Sequence, residues 1–231
     1  MRLLAIDTAL AACSAAVLDT AHSTTNGGII AGESLPMIRG HAEALMPLVA
    51  RVMTTSGLAF AELDRIVVTT GPGSFTGLRV GIAAARGFGL ATQIPVVGVS
   101  TLSAYAAPYL GVDNKYPVVA AIDARHAHVY LEVFAPSGRT LIAPRLAALG
   151  EAVGAASDIP VRIVGSAAQA VADGLADKGP APVSIDSRDA PDIGWVAQIG
   201  AVMPEPSAPP KPQYLRAPDA QPQNAASLPR R

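Results

Sequence analysis

The stretch GPGSFTGLRVGIAAARGFGLATQ, residues 71–93, joins a glycine- and proline-rich turn to a segment of helical composition that carries four glycines. Each glycine inside a helix lowers helix stability by about 1 kcal/mol relative to alanine, so tertiary contacts must compensate for the loss. Four small residues recur every fourth position and share one helix face. They are Gly77, Gly81, Ala85 and Gly89. This face carries almost no side chain, and we expect another backbone to approach it closely.

The turn itself has two interpretations. A β-branched run at 65–70 precedes it, and Ser74 is placed to cap the helix that follows. A strand, a glycine-rich turn and a helix N-terminus can together hold a phosphate, for which Gly71, Gly73 and Ser74 are the weak candidates. The spacing is one residue longer than the dinucleotide fingerprint, and Leu-Arg at 78–79 stands where a Walker sequence has Lys followed by Ser or Thr. The alternative is a purely structural strand-to-helix turn.

Patterns for nucleophilic and metal chemistry are weak. Ser74 lies in G-S-F-T-G, which does not match the G-x-S-x-G nucleophile elbow, so we interpret it as a helix cap. His126 and His128 form an H-x-H pair near Asp123, but no third ligand is evident, and exposed strand residues are the alternative. We therefore assign no catalytic residue and no metal ligand.

Composition limits the classes of function. Of 231 residues, 50% are apolar and 15% are charged, and 17 basic residues face 18 acidic ones. This balance argues against unaided nucleic-acid binding, although RNA can be reached through a complex. Cys13, the one cysteine, has no internal disulfide partner. The apolar run at 3–7 is too short for a signal peptide, and Arg79 and Arg86 interrupt the apolar helix, so we expect no membrane segment and a cytoplasmic location.

Strands and helices are predicted along most of the chain, and its opening pattern occurs twice. Predicted strands are 3–7, 13–19, 28–33, 65–70, 95–99, 118–123, 128–134 and 162–164, and predicted helices are 41–55, 74–92, 101–107, 145–156, 167–176 and 192–203. The strands 3–7 and 118–123 both end in aspartate and both precede a turn and a further strand. We interpret this as a faint internal repeat.

The helix predicted at 41–55 begins at His41 and carries an apolar seam that includes Leu45, Val49 and Val52. The seam could face the protein's own sheet, with His41 simply exposed. It could also face a partner, since the next helix offers the bare glycine face. We prefer the partner surface, formed by both helices.

Two halves that each open with a strand ending in aspartate resemble the actin, Hsp70 and sugar kinase (ASKHA) superfamily. More specifically, six segments, in order, resemble the bacterial TsaB (YeaZ) family. They are AIDTA at 5–9, HAEALMP at 41–47, GPGSFTGLRVGI at 71–82, GVSTL at 98–102, AAIDAR at 120–125 and PQYLR at 212–216. The string GPGSFTGLR is the most discriminating. The resemblance implies an α/β fold of two related βββαβα-type subdomains, the second reduced.

The resemblance also implies a function. Members of this family are non-catalytic partners of TsaD, a paralogue that holds a metal and transfers threonylcarbamoyl to the adenosine beside the anticodon of tRNAs that read ANN codons. An ATPase, TsaE, assists. ATP and metal would then bind on TsaD, tRNA would be met only through the complex, and the helices at 41–55 and 74–92 would pack against their TsaD equivalents. A homodimer through the same faces is the expectation for the isolated subunit.

The residues agree with a non-catalytic role. ATP-holding members of the superfamily place glycine and small polar groups after the strand-ending aspartate, whereas Asp7 is followed by TALAA and Asp123 by ARHA. Asp7 is thus a structural carboxylate in our interpretation, with a metal or phosphate anchor as the alternative. The rival functions are an independent ATP-dependent kinase or hydrolase and an inactive glycoprotease-like homologue. We divide the chain into subdomains 1–107 and 108–216 and a proline-rich disordered tail, 217–231.

Overall fold

A computed structural model describes residues 1–22, 27–176 and 178–216. The first half contains β1 (Arg2–Asp7), β2 (Ala12–Asp19), β3 (Ile29–Pro36), α1 (His41–Ser56), β4 (Arg65–Gly71), α2 (Phe75–Thr92), β5 (Val96–Ser100) and α3 (Thr101–Ala106). Its sheet has the order β3-β2-β1-β4-β5. The strands β1, β2 and β3 pair antiparallel, whereas β4 and β5 join parallel to β1 through helical crossovers.

The second half repeats this plan. It contains β6 (Val118–Asp123), β7 (His128–Phe134), β8 (Thr140–Ala148), α4 (Leu149–Ala155), β9 (Arg162–Val164), α5 (Ala168–Leu175), β10 (Ser184–Asp186) and α6 (Ile193–Val202). The sheet order β10-β9-β6-β7-β8 mirrors that of the first sheet, with β6 in the place of β1. Because β9 and β10 have only three residues each, the second unit is the reduced one. The predicted repeat and α/β fold class are confirmed.

Two strands of the second sheet were missed from sequence. Residues 145–148, predicted as the start of a helix, belong to the nine-residue strand β8. Pro144 and the alanines at 143, 147 and 148 hide this edge strand, because neither a continuous apolar run nor a clean alternation marks it. The strand β10 was not predicted either, since three residues are too few to show a period.

Helices cover the first sheet on both faces. The helices α1 and α2 lie on one face, in a core that includes Ile6, Val68 and Leu78. The helix α6 packs on the other face against Leu3 and Val67, although the chain has passed through the second sheet before it. The subdomain boundary predicted at residue 108 stays a prediction. It assigns α6 to the second subdomain, whereas α6 packs on the sheet of the first.

The helix α3 lies between the two sheets. Its Leu102 and Tyr105 pack with Ile122 and Val164 of the second sheet in one buried cluster, and the Tyr105 hydroxyl donates to the backbone oxygen of Arg188 over 2.8 Å. The other face of the second sheet is covered by α4 and α5. The predicted tail, 217–231, lies outside the described residues, among which no helix is both long and apolar enough to cross a membrane.

Candidate functional site

Asp7, at the end of β1, is fully buried. Its Oδ1 accepts hydrogen bonds from the Ala9 N–H over 2.9 Å and from the Thr69 hydroxyl over 2.5 Å. Its Oδ2 has no hydrogen-bond partner among the described residues. Burial raises the pKa of this carboxyl, and the Thr69 and Ala9 bonds lower it in part. The bonds that Asp7 does make hold the turn after β1 and the end of β4 together.

The turn after β1 is seated on the start of α2. The Ser74 N–H donates to the Ala9 carbonyl over 2.7 Å, and a Cβ added to Gly73 would lie 2.4 Å from the same oxygen. One turn further on, the Thr8 hydroxyl donates to the Gly77 carbonyl over 2.7 Å. The place where a phosphate cradle would open is therefore filled by the chain's own backbone. This geometry favours the structural interpretation of the turn over the phosphate site.

Gly71, the remaining weak phosphate candidate, is also in contact with the chain itself. It has a φ of 109°, which favours glycine, and a Cβ there would lie 3.0 Å from the Gln213 carbonyl. Ser74 is the N-cap of α2 as predicted, because its side chain accepts from the Gly77 N–H over 3.3 Å. The turn thus starts a helix, and the Ser74 side chain serves as its cap.

The glycine face of α2 is turned inward. A Cβ on Gly77 would lie 2.1 Å from the Thr8 carbonyl, and one on Gly81 would lie 2.4 Å from the Thr8 hydroxyl oxygen. Gly89 is equally closed by Val96, and Ala85 is fully buried. The predicted close approach of a backbone is found at Gly77, where the backbone is the protein's own, and side chains of Thr8 and Val96 close the face at Gly81 and Gly89. Assigning these four residues to a partner interface is corrected, since they lie in the core of the first sheet.

The seam of α1 faces inward as well. Leu45, Val49 and Val52 are at most 2% exposed and belong to the same core as α2. His41, which is also buried, places its Nε2 2.9 Å from the Leu10 carbonyl and so ties α1 to the turn after β1. The assignment of these four residues to a partner interface is corrected for the same reason. An apolar seam must cover its own sheet before it can serve a partner.

Small and apolar residues also lie on the outward faces of the same two helices, and sequence reasoning missed them. On α2 the exposed small and apolar residues include Thr76, Ala83, Gly87 and Leu90, with Arg79 and Arg86 beside them, and on α1 they include Ala42, Met46 and Ala50. Leu90 is 84% exposed, and the space where Gly87 would carry a Cβ is open. We call these seven small and apolar residues the outer helix face. Its signal in the sequence was a second row of small or apolar residues, Thr76, Ala83, Gly87 and Leu90, opposite the glycine stripe.

The turn after β6 corresponds to the one after β1 and differs from the expectation. Asp123 is exposed and accepts from the Arg125 N–H over 2.8 Å. Arg125, His126 and Ala127 have φ values of 62°, 52° and 55°. His126 therefore lies in the turn and not on the strand, and its carbonyl is 2.7 Å from Nδ1 of His128. The described residues contain no cluster of three or more metal-ligating side chains.

Comparison with known proteins agrees with this architecture. Residues 14–188 match the family model described as TsaD: tRNA N6-adenosine threonylcarbamoyltransferase. The tRNA threonylcarbamoyladenosine biosynthesis protein TsaB of Escherichia coli is 39% identical over 130 residues, which cover 56% of this chain and 53% of that protein. The chain thus matches about half the length of this relative.

Two further relatives are similar over nearly the whole chain. An uncharacterised protein of Mycobacterium tuberculosis is 35% identical over 224 residues, 95% of this chain and 93% of that protein. The solved structure of YeaZ from Pseudomonas aeruginosa superposes with a TM-score of 0.66 at 28% identity, covering 87% of this chain and 90% of that one. With its two sheets of repeated strand order, the chain belongs to the family that the TsaD model describes and to the TsaB (YeaZ) family.

Proposed function

We propose that the chain is a non-catalytic subunit that binds TsaD and activates it to transfer threonylcarbamoyl to the adenosine beside the anticodon of tRNAs that read ANN codons. The observation that carries the proposal is the 2.7 Å bond from the Ser74 N–H to the Ala9 carbonyl. A helix N-terminus attracts anions through its free N–H groups and its dipole. Here the Ser74 N–H is already bonded to a carbonyl of the chain, which argues against a nucleotide phosphate at this turn.

The outer helix face supports the binding part of the proposal. Ala83 and Gly87 let a partner helix come close, and Leu90 offers a side chain whose burial would stabilise a complex by about 1.5–3 kcal/mol. A core of this kind, with small residues around an apolar anchor and few charges, is typical of protein interfaces. In this arrangement ATP and metal bind on TsaD, TsaE assists the pair, and tRNA is met through the complex.

Placing a charge on the outer helix face tests the proposal. Ala83→Glu and Leu90→Glu change exposed side chains, so the fold of the chain is expected to persist. We expect either variant to lose co-elution with TsaD on gel filtration and to lose tRNA modification in the reconstituted system, while its melting temperature stays unchanged. The matched control is Ala143→Glu, which places the same charge at an exposed position on β8.

Retention of co-elution by both variants would contradict the proposal. Gly81→Leu is not a usable probe, because the added side chain would collide with Thr8 inside the monomer.

A homodimer through the same face is tested by sedimenting the isolated wild-type chain beside Leu90→Glu. Calorimetric titration with Mg-ATP addresses the rival ATP-dependent kinase or hydrolase, since tight binding with turnover would favour the enzyme.

A further inference from the structure

An exposed aromatic and arginine stack lies beside the start of α2. The rings of Phe75 and Tyr214 are stacked with their centroids 5.2 Å apart, and each side chain is 43% exposed. The guanidinium of Arg79 lies 3.8 Å from the centre of the Phe75 ring, and its Nε donates to the Tyr214 hydroxyl over 3.0 Å. Aromatic residues make up only 4% of this chain. Two of them are thus held, with an arginine, at the surface.

The segment that carries Tyr214 crosses from one sheet to the other. We call residues 204–216 the C-terminal strap. Its Gln213 N–H donates to the Thr70 carbonyl at the end of β4 over 2.8 Å. Three residues later, Nη1 of Arg216 donates to the Ala124 carbonyl, just after the end of β6, over 3.0 Å. Tyr214 is therefore fixed between the C-terminal end of β4 in the first sheet and that of β6 in the second.

Further positive charge lies between the aromatic stack and the turn after β6. Arg216 brings a guanidinium to the turn after β6, where Arg125 and His126 are exposed. Within the described part of the chain, neither Arg79 nor Arg125 forms an ion pair. The carboxylate of Asp123, also in this turn, is hydrogen-bonded to the Arg125 backbone N–H. We call Phe75, Arg79, Tyr214, Arg216 and Arg125 the strap platform.

We propose that the strap platform binds an unpaired segment of RNA, with a base stacked on the exposed face of Tyr214 and phosphates beside Arg79, Arg125 and Arg216. Aromatic faces stack with any base, and arginine suits both base faces and phosphates. The inference rests on the proposed function, in which the chain joins a complex that modifies RNA, but it gives the chain an RNA contact of its own.

The chemistry of the strap platform favours RNA over a protein partner. Protein interfaces also use aromatic residues and arginine, but the outer helix face, with Ala83, Gly87 and Leu90, already offers this chain an apolar surface for a protein partner. The strap platform instead sets two aromatic rings among three arginines. Since the whole chain has a net charge of −1, we expect its RNA affinity to be weak alone and to become strong only beside a partner that adds further phosphate contacts.

RNA binding is measured by fluorescence anisotropy with a labelled RNA hairpin that has an unpaired loop, both on the isolated chain at low salt and on its mixture with TsaD. Tyr214→Ala should weaken binding about tenfold, in the range for the loss of one stacked base. Tyr214→Phe keeps the ring and should bind as the wild type does. Arg125→Ala should lower the slope of log affinity against log salt by about 0.7, as expected for one phosphate contact on a single strand.

The matched control for charge is Arg139→Ala, an exposed arginine in the turn after β7, which should leave the affinity and the salt slope unchanged. Wild-type affinity in both Tyr214→Ala and Arg125→Ala would overturn the inference. Loss of co-elution with TsaD by these variants, with the RNA affinity of the isolated chain unchanged, would overturn it in favour of a protein surface. If the wild type does not co-elute with TsaD, the proposed function fails, and the titration of the isolated chain still decides this inference.

Discussion

At the scale of single residues, the glycines of α2 differ in what surrounds them. Gly77 and Gly81 touch Thr8 so closely that a Cβ would lie within 2.5 Å of one of its oxygens. Gly87 has no atom of the described residues within 4 Å of that position. Gly77 and Gly81 therefore lower the intrinsic stability of the helix but allow the turn after β1 to pack closely against it. Gly87 has no such packing role inside the monomer.

This contrast predicts opposite effects of one substitution. Gly77→Ala should lower the free energy of unfolding by about 1–3 kcal/mol, because the Thr8 backbone must move away. Gly87→Ala should raise it by up to about 1 kcal/mol through helix propensity alone. Urea denaturation of the two variants beside the wild type measures both changes. Equal effects would show that the glycine face is not packed as described.

Asp7 gives a second prediction at the residue scale. Burial raises the pKa of its carboxyl above the unfolded value, so the native state binds more protons than the unfolded state in the pH range between the two values. This residue's contribution to stability must then fall as pH rises through that range. Asp7→Asn removes the titration and keeps an oxygen for the Thr69 and Ala9 donors.

We expect the stability of the wild type, relative to Asp7→Asn, to decline as the pH rises above 3.8, the unfolded value, through the range in which the buried carboxyl ionises. Urea denaturation of both proteins across this range measures the difference. The difference between the two proteins is compared, because carboxyls whose pKa is lowered on folding make the stability of both proteins rise with pH. For example, the Arg188 guanidinium lowers the pKa of Asp186. A difference that stays flat with pH would contradict an elevated pKa for Asp7.

At the scale of elements, the start of α2 is held in place by two hydrogen bonds of Ser74. Ser74 caps the helix with its side chain and donates its own N–H to Ala9. Only the first of these bonds needs the hydroxyl. The cap and the backbone bond together fix the angle at which α2 leaves β4, and this angle sets the position of the outer helix face.

Ser74→Ala separates a cap from a nucleophile. We expect the free energy of unfolding to fall by about 1 kcal/mol, as for other lost N-caps, with co-elution and tRNA modification in the presence of TsaD unchanged. Thermal and urea denaturation measure the first effect, and the reconstituted modification assay measures the second. Complete loss of modification by a folded variant would indicate a chemical role for the hydroxyl.

At the scale of the whole molecule, the chain returns to its first sheet after building its second. Arg65, a buried residue on β4, donates from Nη1 to the carbonyls of Gly200 and Met203 at the end of α6, each over 2.6 Å. A cation at a helix C-terminus also meets the negative end of the helix dipole. This contact joins the last helix to the first half of the fold.

Removing the guanidinium of Arg65 should therefore weaken the whole molecule. We expect Arg65→Met to lower the free energy of unfolding by about 1.5–3 kcal/mol, the range for hydrogen bonds to charged groups. Arg145→Met removes the exposed pair with Glu151 and should change it by less than about 1 kcal/mol. Urea denaturation of both variants measures this. Equal losses would show that α6 is not anchored through Arg65.

The sequence by itself determined the repeat, the ends of most strands, the Ser74 cap and the family, because these depend on local periodicity, turn chemistry and short motifs. It also predicted that a backbone packs closely on Gly77 and Gly81. Only the tertiary structure decided whose backbone that is, since a bare helix face fits the protein's own turn and a partner's helix equally well. The answer is Thr8, so the surface available to a partner lies on the opposite side of α2.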